Sequence, residues 1–393
     1  MQNNKIKNRL IPLSNPVLKG REWKYVKDCL DTGWVSSVGE YVTRFEEAVA
    51  SYLDVKYAVA VVNGTSALHI SLVACGVRHG DEVIVPALTF IATANAVTYC
   101  GASPIFMDCD IHSIGMDHDK LENFMKKRVV KGRDGGAYNK QTGRRIKAII
   151  PVHVFGHPVD MEKVLKVCAE YGITVIEDAA ESIGSEYRGK KTATLGDVGC
   201  LSFNGNKIIT TGGGGMVVTD SKPVSSRVRH LTTQARSEAF EYNHDDIGYN
   251  YRLTNVLAAM GVAQMEQLDG FINIKRLNAT LYRSLLSGIN NVEFLWESPW
   301  ARSNFWFYTL KVPAKSKNSL MSFLLDKSIQ VRPVWKPMTS LPMYKKSQSY
   351  HIENAVTIYN TCINLPCSVD LRKDEIMRVA DSIKMYFGKR GRA

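Results

Sequence analysis

Lys207 is the first side chain whose surroundings suggest chemistry. It follows the short apolar run Val198–Phe203 by four residues and precedes the glycine run Gly212–Gly215. Upstream, the apolar run ITVI ends in an acidic pair, Glu177-Asp178. A lysine just past one strand and a carboxylate at the end of another are what pyridoxal 5'-phosphate (PLP) uses. The amine can attach the cofactor's aldehyde covalently. The carboxylate can keep the pyridine nitrogen protonated, so that the ring takes up electrons.

Other polar groups stand where such a cofactor could be held. The order YAVAVV, NGTSA, LHISLVACG predicts strand, tight turn, helix. Gly64 permits the turn, and Thr65 and Ser66 fall where the helix begins. Free N–H groups and hydroxyls at a helix N-terminus make a phosphate cradle, although a capped helix without a ligand reads as well from these residues alone. Phe90 lies just past the strand in DEVIVPALTF, where ligands of parallel sheets sit, and could stack on a flat ring or belong to the core. His153 and His157 are four apart but have no third ligand in view, so no metal is expected. Gly212–Gly215 lacks the GK[ST] ending of a phosphate loop and reads as a tight turn into MVVTD.

The elements that must position these groups alternate. Helical period over Asn15–Leu30 places Trp23, Val26 and Leu30 on one face. A second helix carries Val42, Phe45, Val49 and Tyr52. Strands then alternate with helices, including Ile91–Cys100 and Met161–Gly172, and predict an α/β fold with a mostly parallel sheet. Residues 111–145 interrupt the rhythm. Their basic, glycine-rich part, Lys126–Arg145, reads as a surface hairpin or flexible loop with a solvated charge run. One sustained helical period covers Val256–Leu286. The expected division is a large domain over 1–260 and a linking helix with a small α/β domain over 261–393.

With 393 residues, 45% hydrophobic and 22% charged, the chain has the composition of a soluble globular protein. No apolar run is long enough to span a bilayer, and MQNNKIKNRLIPL has no signal-peptide core, so a cytoplasmic location is expected. Eight scattered cysteines form no CxxC and read as reduced thiols. The net charge of +12 comes without a nucleic-acid motif, so neither nucleic acid nor membrane is an expected partner.

NGTSALHISL, GDEVIVPALTFIATANAV, VIEDAAES, LSFNGNKIITTGGGGMVVTD and GYNYRLTNVLAAMGVAQME follow in order, then VRPVWKP, LPMY and NLPCS. In this the chain resembles the DegT/StrS family of PLP-dependent nucleotide-sugar aminotransferases over nearly its whole length. The resemblance implies a fold type I aminotransferase with a mostly parallel seven-stranded sheet, acting as a homodimer with shared active sites. It implies Lys207 as the attaching lysine, Asp178 on the pyridine nitrogen, and Phe90 on the ring. Gly64, Thr65, Ser66 and Ser202 would surround the phosphate, and Asn250 would reach the phosphate in the neighbouring subunit. Glu181 stands where many relatives have Gln or His, near the cofactor's phenolic oxygen.

L-glutamate would supply the amine. FNGNK, GWVSSVG and the excursion before IKAIIPVHVFG resemble the branch that aminates C4 of a UDP-linked 4-keto-6-deoxy-N-acetylhexosamine. Its product is a UDP-N-acetylbacillosamine-type sugar for surface glycan or legionaminic acid synthesis. In that branch Trp34, Ser36, Asn206, His244, Arg252 and Arg332 are candidates for substrate contact. GDP-perosamine synthases and pseudaminic-pathway transaminases share much of this pattern and are the alternative. A non-catalytic scaffold or regulator is the reading of another class, and it predicts erosion at Lys207 or Asp178, which are both intact.

Overall fold

The structure is a computed structural model that describes residues 9–238 and 241–390; the N-terminal residues 1–8, in which a leader was sought, lie outside it. Seven strands form the centre of a large sheet. They are β1 (Tyr57–Val61), β2 (Glu82–Pro86), β3 (Ser103–Met107), β4 (Arg145–Ile149), β5 (Thr174–Asp178), β6 (Val198–Ser202) and β7 (Gly215–Thr219). Their spatial order is β1-β7-β6-β5-β4-β2-β3. β7 runs antiparallel to both neighbours and the other pairings are parallel. β2 is buried at every residue, as expected of a strand covered on both faces.

The sheet is larger than seven strands. A hairpin, Val129–Lys131 with Ala137–Asn139, joins the start of β4. Ser349–Tyr350 adds an edge strand beside β3. That last pairing returns the C-terminal part of the chain to the large sheet, across the boundary drawn at 260. A separate antiparallel sheet unites Glu293–Phe294, Tyr308–Lys311, Cys362–Leu365 and Arg332–Pro333.

Helices α1 (Glu22–Thr32) and α2 (Glu40–Leu53) precede β1. α2 buries Val42, Phe45 and Val49 as its period predicts. α1 does not follow its apolar period. It buries Glu22, Tyr25 and Cys29, while Trp23 and Leu30 are exposed. Polar bonds inside the fold outweigh the apolar stripe here: Glu22 accepts from Gln264 and Gln267, and Tyr25 donates to Glu266. α3 (Gly64–Ala74) and α4 (Ile91–Tyr99) open directly after β1 and β2. The period over Val256–Leu286 resolves into two helices, Asn255–Met265 and Leu268–Leu286, broken at Glu266-Gln267. No described helix is long and apolar enough to cross a membrane.

Candidate active site

Parallel strands deliver their C-terminal ends to one side, and a cavity of about 660 Å³ opens there. Asp178 is the last residue of β5, Ser202 the last of β6, and Phe90 caps α4 after β2. Cys200 pairs opposite Asp178, so Ser202 stands two residues beyond the carboxylate.

At the α3 end, Asn63 Oδ1 accepts from the Ser66 N–H at 2.7 Å and caps the helix. Gly64 and Thr65 line the cavity beside Ser202. A Cβ on Gly64 would stand 2.7 Å from the Ser202 Cβ, so the approach of β6 to the helix start requires glycine there. The result is a hydroxyl-lined helix N-terminus, suited to an anion such as a phosphate group.

Asp178 is buried. Its Oδ2 accepts from Thr93 Oγ1 at 2.7 Å and its Oδ1 from the Ala180 N–H at 3.2 Å. Thr93 Oγ1 also lies 2.9 Å from Thr89 Oγ1. Burial raises the Asp178 pKa, while Thr93, the Ala180 N–H and the Lys207 charge oppose the rise.

Lys207 Nζ reaches into the same cavity, 3.3 Å from Glu181 Oε1 and 3.8 Å from the centre of the Trp306 ring. The ring face offers a cation a favourable site without pairing off its proton. Glu181 is buried and its other oxygen accepts from the Phe155 N–H at 2.9 Å. Burial pushes its pKa up to about 7, with Lys207 and the Phe155 N–H pulling the other way. Phe155 presents that N–H from a left-handed backbone, φ 56°.

Asn304 ties these pieces together. Its Nδ2 donates to the Glu181 carbonyl at 3.0 Å, and its Oδ1 accepts from the Trp306 N–H at 2.9 Å. Gly156, at φ 92°, allows the contact, because a Cβ there would overlap Asn304 Oδ1. Trp306 Nε1 donates to the Asn206 carbonyl at 2.7 Å, next to Lys207.

Of the residues picked from sequence, Lys207, Asp178, Gly64, Thr65, Phe90, Glu181, Ser202, Asn206 and Arg332 line this one cavity. Phe90 is half exposed at its rim, 6.1 Å from the Trp335 ring centre. Ser66 is buried behind the lining, its N–H spent on the cap. Trp34, Ser36, His244 and Asn250 do not reach the cavity within one chain. Trp34, His244 and Asn250 are exposed, and the backbone oxygens of Trp34 and Ser36 receive bonds from Asn255. Arg252 does not line the cavity within one chain either. Its half-buried guanidinium bonds Glu46 at 2.9 Å and the Ala60 carbonyl at 3.1 Å through Nη1, which ties it to β1.

Thr89, Thr93, Trp306, Trp335 and Asn364 also line the cavity and were missed. Thr89 stands just before the α4 cap and Thr93 in the first turn of α4, so no single period links their hydroxyls. Trp306 sits in a run that reads as plain apolar strand. In the histidine pair, His153 Nε2 bonds Glu177 at 2.8 Å and its Nδ1 accepts from the Val159 N–H, while His157 packs edge-on against Phe305; among the described residues no group of three His, Cys, Asp or Glu side chains comes together around them.

Residues 16–384 match the DegT/DnrJ/EryC1/StrS aminotransferase family. The chain is 40% identical to a GDP-perosamine synthase of Escherichia coli O157:H7, over 96% of this chain and 99% of that one. It is 39% identical to a GDP-perosamine synthase of Caulobacter vibrioides, over 94% and 96%. The crystal structure of the aminotransferase TlmJ from Streptoalloteichus hindustanus superposes with a TM-score of 0.88 at 25% identity, over 97% of this chain and all of that one. Its sequence, its fold and its lysine-bearing cavity place the chain in the DegT/DnrJ/EryC1/StrS family, as a PLP-dependent sugar-nucleotide aminotransferase.

Proposed function

We propose that this cavity moves an amino group from L-glutamate to the C4 keto carbon of a GDP-linked 6-deoxy sugar, giving a perosamine-type product. The carrying observation for the chemistry is the convergence of Lys207, Asp178 and the Gly64–Thr65–Ser202 cradle in one cavity. For the sugar, the support is the two GDP-perosamine synthases matched over nearly full length. The UDP-linked N-acetylhexosamine reading rests on local motif details and is the competitor in the test.

The residues fit PLP. The α3 N-terminus and Ser202 would take its phosphate, the buried Asp178 carboxylate its ring nitrogen, and Lys207 its aldehyde. Once bound, PLP supplies the electron sink for C–H and C–N bond changes at the amine-bearing carbon. Lys207 would hold the cofactor and, with its amine free, would be the group placed to move a proton at the reacting carbon. The Trp306 face keeps the freed amine within reach. Asp178, fixed by Thr93, gives the ring nitrogen a charge-assisted partner. Glu181, with its pKa about 7, can present its proton as a donor beside Lys207. Phe90 and Trp335 cover the cavity from the rim and limit water. Arg332, exposed at the same rim, is positioned for an anionic group of either substrate.

The working unit in this reading is a homodimer. Asn250, Trp34, Ser36 and His244 of a second copy complete the cavity from outside.

Turnover run in reverse decides the substrate. The PLP-loaded protein is given 2-oxoglutarate with either GDP-perosamine or the UDP-linked 4-amino-4,6-dideoxy-N-acetylhexosamine, and glutamate is measured. Glutamate from the GDP sugar alone is the expected result. Glutamate from the UDP sugar alone would replace the sugar assignment, and glutamate from neither would remove both.

A further inference from the structure

The stretch Lys126–Arg145 holds eight basic residues and one acidic one, Asp134, so it carries +7 of the chain's net +12. Its sequence reads as solvated, but the structure gives it a fixed shape. Val129–Lys131 pairs with Ala137–Asn139, the Gly132 N–H closes the turn on the Gly136 carbonyl at 2.8 Å, and Ala137 and Tyr138 pair in turn with the start of β4. Asn139 is fully buried. Its Nδ2 donates to Glu82 at 2.8 Å and to Gln348 at 2.6 Å. Lys131 Nζ lies 5.3 Å from the centre of the Tyr171 ring. One face of the hairpin is thus packed on the body and the other is presented outward.

Two of the eight cations have carboxylate partners: Lys126 pairs with Glu122 at 2.5 Å and Arg145 with Asp134 at 3.8 Å. Lys127, Arg128, Lys131, Arg133, Lys140 and Arg144 are exposed and have no carboxylate within 4.0 Å among the described residues. Lys127 and Arg128 end the helix His118–Arg128 that leads into the hairpin, and the other four stand on the hairpin and the turn after it. Lys140 Nζ donates to the Lys127 carbonyl at 3.1 Å and Arg144 to Ser103 Oγ at 3.0 Å, but neither contact supplies a counter-charge. Six like charges held this close together repel each other. An extended anionic partner removes that repulsion.

The shape selects among polyanions. The hairpin lies flat on the body and cannot enter a nucleic-acid groove as a free ribbon. It offers no exposed ring for base stacking, since Tyr138 is partly buried and donates to Asp134. It does offer an exposed apolar side chain, Val130, among the cations. Flat, basic and lightly apolar is the match for a lipid headgroup layer. We propose that this hairpin is a docking face for the anionic surface of a phospholipid bilayer. It grows from the N-terminal end of β4, a strand length of about 17 Å from the strand ends that form the cavity. Docking therefore leaves the cavity mouth free, and the proposal is independent of which sugar is aminated.

The test is co-sedimentation of the PLP-loaded, full-length protein with vesicles of phosphatidylcholine containing 30% phosphatidylglycerol, as a rough mimic of an anionic leaflet. The expected result is binding that fails on pure phosphatidylcholine and is released by about 0.5 M salt. The triple variant Lys127→Gln, Arg128→Gln, Arg133→Gln touches side chains that make no bond to the fold. It should bind on the order of a hundredfold more weakly, with unchanged turnover in vesicle-free buffer. The charge-preserving variant Lys127→Arg, Arg128→Lys, Arg133→Lys should bind like wild type. No binding to anionic vesicles, equal binding by the triple variant, or salt-sensitive binding to duplex DNA in place of vesicles would each overturn the proposal.

Discussion

Glu177 and Asp178 are neighbours on one strand, both buried, and they live in opposite worlds. Glu177 faces the side away from the cavity. Four donors surround it: His153 Nε2 and the N–H groups of Ala193, Leu195 and Gly196, at 2.6 to 3.0 Å. Its acceptor capacity is used up in pinning the loop between β5 and β6. Asp178 faces the cavity with two donors, Thr93 and the Ala180 N–H, and one side left open. Glu181, three residues on, is also left with two, the Phe155 N–H and Lys207. A saturated buried carboxylate holds structure. An under-satisfied one beside a cavity waits for a cation or shares a proton.

Substitutions can break that contrast. The largest effect should come from Lys207→Ala, which lowers steady turnover at least about a thousandfold while the urea unfolding midpoint hardly moves. Retained turnover would remove the lysine from the chemistry. Glu177→Gln should do the reverse. It sets an amide N–H against backbone donors and should cost on the order of 3 kcal/mol of stability, read by urea unfolding. If Glu177→Gln is as stable as wild type, the division between the two acids fails.

A pH experiment sharpens the comparison at Glu181. Its pKa is raised from 4.5 to about 7 by burial. A carboxyl raised in the folded state contributes stability that is complete below its ordinary value and is lost as pH rises through 7. Cofactor-free wild type should therefore lose on the order of 3 kcal/mol relative to Glu181→Gln between pH 4.5 and pH 8. Parallel stability curves for the two proteins would show that Glu181 does not titrate in this window. The smallest effect belongs to Thr93→Val. Removing one hydrogen bond from Asp178 should weaken PLP binding about tenfold, measured by equilibrium dialysis, with the fold intact.

Much of this site was legible because it sits at strand ends, and strand ends are marked in the sequence by apolar runs that stop at polar residues. Asp178 and Phe90 were found that way, whereas Ser202 came from the family resemblance. Lys207 was found because it lies just past one apolar run and before the glycine run, with a carboxylate ending another such run. What escaped was contributed across long chain separations. Trp306 reaches Lys207 from the loop that enters the small sheet, and its placement depends on Asn304 bonding the Glu181 carbonyl. No local period encodes that. The early helix failed for a related reason: Glu22 and Tyr25 are buried by partners more than 240 residues away, so its polar side faces inward. The basic excursion was recognised as a hairpin or loop, but its rigidity depends on Asn139 meeting Glu82 and Gln348, which only the fold brings together.

The central claim is that Lys207 is the residue that takes the cofactor. Borohydride reduction of the PLP-loaded protein fixes the pyridoxyl group on whichever lysine holds it, and peptide mass mapping then finds it. The account predicts the label on the peptide that contains Lys207, in one copy per chain, and none in Lys207→Ala. Label on another lysine in the wild-type protein, or none at all after loading, would contradict it.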